Sequence, residues 1–191
     1  MKKFTTQQIT QTAVLITICI ISQLFKNLSV YITGPIINTV LIIATLAISV
    51  NSALMIAIIT PVTAFFITGS PIMAGIPAMF PVIMLGNAIL VWCTYYCKKN
   101  IKTKAGLPIG MVVGAVVKAS FMGSVTSFIL FPMFGDNIAS YLPKPEALQT
   151  VLAAARVTFS LTQLITALIG GVLAYLIWIP LQKFIKTEEM N

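Results

Sequence analysis

Residues 110–123 read GMVVGAVVKASFMG, a run apolar enough for a bilayer except for one charge, Lys118. A lysine at mid-bilayer costs about 2.5–3.5 kcal/mol on insertion scales, so its surroundings must offset that cost. Gly106, Gly110 and Gly114 recur every fourth residue ahead of it, and on a helix that spacing draws one stripe. Membrane helices use stripes of small residues to pack closely. Lys118 is the next step on this ladder, so it is expected to face a neighbouring helix and not lipid. By rise per residue it stands about 20 Å from either end of its span, too far for its stem to reach a headgroup layer.

The rest of the chain fits a membrane setting. Its 191 residues are 58% hydrophobic and 8% charged, with a mean hydropathy of +1.00, where soluble domains carry about 25% charged residues. Lys and Arg number twelve against four Asp and Glu. These cations sit at the ends of apolar runs and not on an aromatic-interleaved face, so they report topology, and no nucleic-acid partner is implied. The opening MKKFTTQQITQTAVLITICIISQ imitates a signal peptide but lacks a small-x-small cleavage site, and it is read as a retained first helix.

A span needs about 20 apolar residues, and turn signals divide the chain into six such stretches: 8–25, 35–50, 53–68, 73–96, 105–132 and 149–182. The separators are KNLSVYITGP, VNS, TGSP, CKKNIKTK and FGDNIASYLPKPEA. Because the break at Asn51 and Ser52 is thin, five spans with one re-entrant element is the alternative. Lys2 and Lys3, then Lys98, Lys99, Lys102 and Lys104, then Lys183 and Lys186 would share one side of a six-span protein, and lysine-rich loops are cytoplasmic. The fold expected is therefore an all-α integral membrane protein. It is a six-transmembrane-helix bundle with both termini cytoplasmic and residues 1–191 forming a single domain. The most polar outer loop, around YLPKPEA, suggests that an open site faces outward.

Inward faces are marked by small and amide side chains. In the sixth span Arg156, Ser160, Gln163, Ala167, Gly170 and Ala174 follow helical spacing down one face. Asn38 and Asn87 give the second and fourth spans one buried amide each. Pro77 and Pro81 interrupt the outer half of the fourth, freeing carbonyls. No Asp or Glu falls inside any span, so neither Lys118 nor Arg156 has an intramembrane carboxylate. For Lys118 this leaves an anionic or carbonyl-rich ligand, a ring of amides and helix-end carbonyls, or a lysine that gives up its proton. For Arg156, snorkelling to the outer interface is the alternative to ligand contact. Asn87 and Gln163 read either as glue between helices or as substrate contacts.

Several chemistries are missing. There is no histidine, which removes the commonest metal ligand and general base. Cys19, Cys93 and Cys97 lie in or beside apolar segments, where packing is the simplest reading; no metal and no cofactor is implied. No phosphate-binding loop of the G-x-x-x-x-G-K-[ST] type occurs, so the chain cannot energise transport by its own nucleotide hydrolysis. No catalytic dyad or carboxylate pair stands out, and no enzyme is expected.

Six spans in this length, TGPIINTVL at 33–41, ITPVTAFFITG at 59–69 and IPAMFPVIMLGNAILV at 76–91 resemble the substrate-binding S component of an energy-coupling factor (ECF) transporter. The resemblance implies a cell-membrane protein with a high-affinity site for a vitamin, nucleoside or related micronutrient. It also implies partners, a transmembrane T component and two ATP-binding-cassette ATPases, besides the surrounding lipid. By position it points to Tyr31 and its neighbours in KNLSVYITG as a lid over the site, and to Asn87, Lys118, Arg156 and Gln163 as wall. Asn38 joins this substrate-binding set. An Ala-x-x-x-Ala docking face on the first helix is matched here by Ala13 and Thr17, preceded by Thr6 and Thr10. The alternatives are a structural or pore-forming subunit without a substrate, and a solitary small secondary transporter.

Overall fold

The computed structural model describes residues 5–25 and 30–188, with side chains to residue 184. Helix α1 spans Thr6–Leu24, α2 Val30–Ala47 and α3 Val50–Thr68. A short α4, Pro71–Gly75, precedes α5 at Met79–Asn100, and α6 covers Gly106–Val125. From α6 the chain passes through a π-helical turn, Thr126–Leu130, into α7, Phe131–Phe134. Two 3₁₀ turns follow, Gly135–Tyr141 and Pro145–Ala147. The last path comprises α8 at Leu148–Val157, a second π turn at Thr158–Thr162 and α9 at Gln163–Glu188. Among the described residues six helical paths are long and apolar enough to cross a membrane, and no strand forms.

Local chemistry sets several of these boundaries. Thr5 caps α1 by accepting from the Gln8 N–H at 3.2 Å, while Gln8 Oε1 accepts from the Thr5 N–H at 3.2 Å, a reciprocal capping box. Ser49 caps α3 through the Ser52 N–H at 3.1 Å. Gly69, at φ 57°, ends α3 in a left-handed conformation that a side chain would resist. The break around Ser49 is short but real, and two full helices flank it.

Two boundaries differ from the sequence expectation. The second helix begins at Val30, five residues before the expected start at 35, and runs through Gly34 and Pro35. TGP serves packing here and does not form a turn. A Cβ at Gly34 would lie 2.8 Å from Thr166 Cβ, and one at Gly170 would lie 2.8 Å from the Pro35 carbonyl oxygen. The missing side chains let α2 and α9 touch along their backbones. The fourth path is likewise not one bent helix. The chain leaves α4 after Gly75 and restarts at Met79, with Pro77 in the gap and Pro81 in the first turn of α5, where its absent N–H goes unmissed.

In the bundle α5 packs on α6, α2 on α9, and α1 on α3. The glycine ladder faces α5 as its spacing predicts. A Cβ at Gly110 would lie 2.9 Å from Cys97 Cβ and 3.0 Å from the Cys93 carbonyl oxygen; one at Gly114 would lie 3.0 Å from Leu90 Cδ1. Cys93 and Cys97 thus pack against the ladder, and all three cysteines are free thiols. Buried apolar side chains form clusters on either side of a polar middle. One gathers Met73, Ile76, Met79, Met122, Phe131 and Ile138; others centre on Leu41 and Ile56, and on Leu90 and Trp178.

Candidate functional site

Lys118 sits in that polar middle, 2% exposed. Its Nζ donates to Asn38 Oδ1 at 2.7 Å and to Asn87 Oδ1 at 2.8 Å, tying α6 to α2 and α5. None of these three helices carries an acidic residue, so amide oxygens alone hold the lysine on the protein side. Of the partners open to it from the sequence, two amide oxygens are in place. An ammonium has three N–H donors, and the third has no protein acceptor among the described residues.

The neighbours make room for this geometry. Gly86, beside Asn87, leaves space for Met122, whose Sδ would lie 2.5 Å from a Cβ there, and for the Lys118 stem at 3.6 Å. Gly170 sits against Asn38, where a Cβ would meet Asn38 Cβ at 2.7 Å. Thr39, next to Asn38, donates its hydroxyl to the Gly170 carbonyl at 3.0 Å. Asn38 is therefore set by a glycine contact, and the Lys118 stem passes over the space left by Gly86.

Lys118, Asn38 and Asn87 line a cavity of about 130 Å³, together with Gln163 at the start of α9 and Phe159 in the π turn. Its other walls are the end of α1 at Gln23, the first half of α2, the end of α3 at Thr60, Pro61 and Ala64, and Met73 of α4. In an up-and-down bundle these pieces share one end, opposite the loop that follows α5. At that opposite end Lys98 Nζ lies 4.6 Å from the Trp178 ring and Lys99 Nζ 5.7 Å from the Tyr95 ring, both within cation–π range. A second cavity of about 220 Å³ between α6 and α9 is lined by Met111, Val112, Leu168 and Tyr175 among others and lacks a cluster of polar groups.

Gln23 is a cavity residue that the sequence does not mark. It is 1% exposed, and its Nε2 donates to the Thr60 carbonyl at 3.0 Å, while its Oε1 is buried without a donor among the described residues. The signal was thin, because a glutamine at the end of an apolar span reads as an interfacial residue. Among the described residues Thr94 Oγ1 is the other buried side-chain oxygen without a partner, away from the cavity lining.

Of the six expected substrate residues, Lys118, Asn38, Asn87 and Gln163 come together here. Arg156 and Tyr31 do not line the cavity. Arg156 is exposed in the last turn of α8. Below the π turn the expected stripe holds, with Ala167, Gly170 and Ala174 all buried; above it the buried positions are Leu152, Ala155 and Phe159, one residue ahead of Arg156 and Ser160. The π turn explains the shift: its wider winding breaks the 3.6-residue register between α8 and α9. Tyr31, 53% exposed, lies in the first turn of α2, beside the cavity-lining Val30, and not in a loop. The rest of the expected lid, Lys26 to Ser29, falls outside the described residues. Ala13 and Thr17 are exposed on one face of α1 with Thr6 and Thr10. The Thr10 and Thr17 hydroxyls on that face donate to carbonyls one turn back, at 3.1 and 3.0 Å.

A family model described as "ECF transporter, substrate-specific component" matches residues 7–182. Comparison with curated proteins and with solved structures gives no match.

Proposed function

The chain belongs to the family of ECF transporter substrate-specific components, and from that premise we propose that the Lys118 cavity is its substrate site. The observation that carries this reading is a buried lysine held by two amide oxygens, with one N–H left over, on the wall of a cavity. A lysine needed only to brace helices would have its last donor matched, because an unmatched buried donor costs about 1–3 kcal/mol, more for a charged one. A ligand oxygen completes the shell. The substrate class we favour is a vitamin, nucleoside or related micronutrient.

The orientation follows from charge. Lys98, Lys99, Lys102 and Lys104 cluster at the end of the bundle opposite the cavity, and lysine-rich loops stay in the cytoplasm. The cavity then faces outward, with Tyr31 at its rim as a lid residue. Arg156, exposed in α8, anchors at the outer interface and makes no contact with substrate. Delivery inward requires a T component and two ABC ATPases, since the chain has no nucleotide-binding loop. The exposed Ala13 and Thr17 face of α1 is the proposed contact for the T component. Thr10 and Thr17 satisfy their own hydroxyls, so a partner helix packing there meets no unpaired hydroxyl from either.

The test is capture of a ligand. Full-length protein in detergent should retain one small molecule from a cell extract without ATP. If none is retained and a broad vitamin and nucleoside panel also fails, the proposal is wrong.

A further inference from the structure

We propose that the substrate of this cavity presents a neutral ring bearing an amide N–H next to a carbonyl, a cyclic amide or imide, and not a carboxylate or phosphate head. This rests on the reading of the Lys118 cavity as the substrate site. Gln23 carries the inference. The Thr60 carbonyl can only accept, so Gln23 must turn its NH₂ toward it, at 3.0 Å, which fixes the orientation of the amide. Its Oε1 is left buried without a donor among the described residues. Gln23 is among the residues around the cavity while the oxygen itself has almost no open surface, so a donor reaches it as a ligand settles against the end of α1.

The opposite logic holds at Lys118. An ammonium only donates, so Asn38 and Asn87 both turn their oxygens to it and their NH₂ groups away. Among the described residues neither NH₂ group has a protein acceptor. The site thus has fixed donors on the α2, α5 and α6 side and one fixed acceptor on the α1 side, while Gln163 can turn its amide either way. A carboxylate or phosphate satisfies the donors but sets a second acceptor against Gln23 Oε1. An apolar ring satisfies neither side, whereas a carbonyl beside an N–H satisfies both. Nor does Lys118 demand an anion, because two amide oxygens already solvate it. The volume of about 130 Å³ suits one ring, since a protein cavity of about 150 Å³ holds benzene.

Saturation-transfer NMR on the full chain in nanodiscs, with uracil, 1,3-dimethyluracil and benzoate as single-ring probes, separates the possibilities. Uracil should bind at least about tenfold more tightly than either other probe, the worth of about one hydrogen bond, and Gln23→Leu should abolish that preference. Benzoate matching uracil, or a preference that survives Gln23→Leu, overturns the inference. The unmodified protein keeps the test decisive if that variant fails to fold, because mass spectrometry of the ligand captured from extract reads the same chemistry. A captured molecule with an amide N–H beside a carbonyl supports it. One with only carboxylate or phosphate polar groups overturns it while leaving the substrate-site reading intact. No captured molecule together with no probe binding overturns both.

Discussion

Lys118 Nζ donates to Asn38 Oδ1 at 2.7 Å, across 80 residues of sequence, and so joins the middle of α6 to the middle of α2. The contact is at once structural and exposed to a cavity. That double character separates the predictions for the asparagines from those for the lysine.

Removing one asparagine strands the cation. Asn87→Leu takes away an oxygen held at 2.8 Å and should destabilise the protein by about 1.5–3 kcal/mol, the range for hydrogen bonds to charged groups. Adding Lys118→Met should recover most of that loss, because the acceptor is then no longer needed. Thermal unfolding of the two single variants and the double variant in detergent measures this coupling; strict additivity would mean the contact carries no energy.

Gly170 and Gly171 are neighbours with opposite surroundings. A Cβ at Gly170 would lie 2.7 Å from Asn38 Cβ and 2.8 Å from the Pro35 carbonyl oxygen, while one at Gly171 meets only Met111 at 3.4 Å or more. Gly170→Ala should therefore cost about 1–3 kcal/mol as overpacking and displace Asn38, lowering ligand affinity as well. Gly171→Ala should leave both within error. Melting and binding of the pair, side by side, decide whether α9 positions the site.

The exposed face of α1 gives a prediction confined to assembly. Ala13→Trp with Thr17→Trp adds bulk where both residues are exposed, so ligand binding by the isolated chain should be unchanged. Co-purification of the T component should fall by at least about tenfold if this face is the contact, since a buried steric clash readily exceeds about 1.4 kcal/mol. Undiminished co-purification would move the contact elsewhere.

Orientation is checked with single cysteines in a background without Cys19, Cys93 and Cys97. Lys102→Cys should react with a membrane-impermeant maleimide only after the cells are opened, and Glu146→Cys in intact cells. The reverse pattern would put the cavity on the cytoplasmic side.

Much of this architecture was legible because membrane helices declare themselves by length and by glycine spacing. The four-residue ladder gave Lys118 its direction, and the isolated amides Asn38 and Asn87 stood out in apolar runs. Which side chains meet was not legible, since the lysine's partners lie on two other helices. TGP looked like a turn because glycine and proline usually make one; here glycine lets α9 approach, and proline sits near the start of α2. Arg156 was placed on the inner stripe by extending helical spacing across residues 158–162, where a π turn changes the winding. Gln23 is silent in the sequence, which does not reveal that its carbonyl oxygen lacks a donor among the described residues.

The most direct test of the central claim is native mass spectrometry of wild-type protein and Lys118→Met, each purified in detergent and exposed to the same cell extract. One bound small molecule is expected on the wild type, and its loss, or an affinity lower by at least about tenfold, on a variant that still melts at or near the wild-type temperature. Equal ligand occupancy on both proteins would show that the substrate binds elsewhere and that Lys118 only braces the helices.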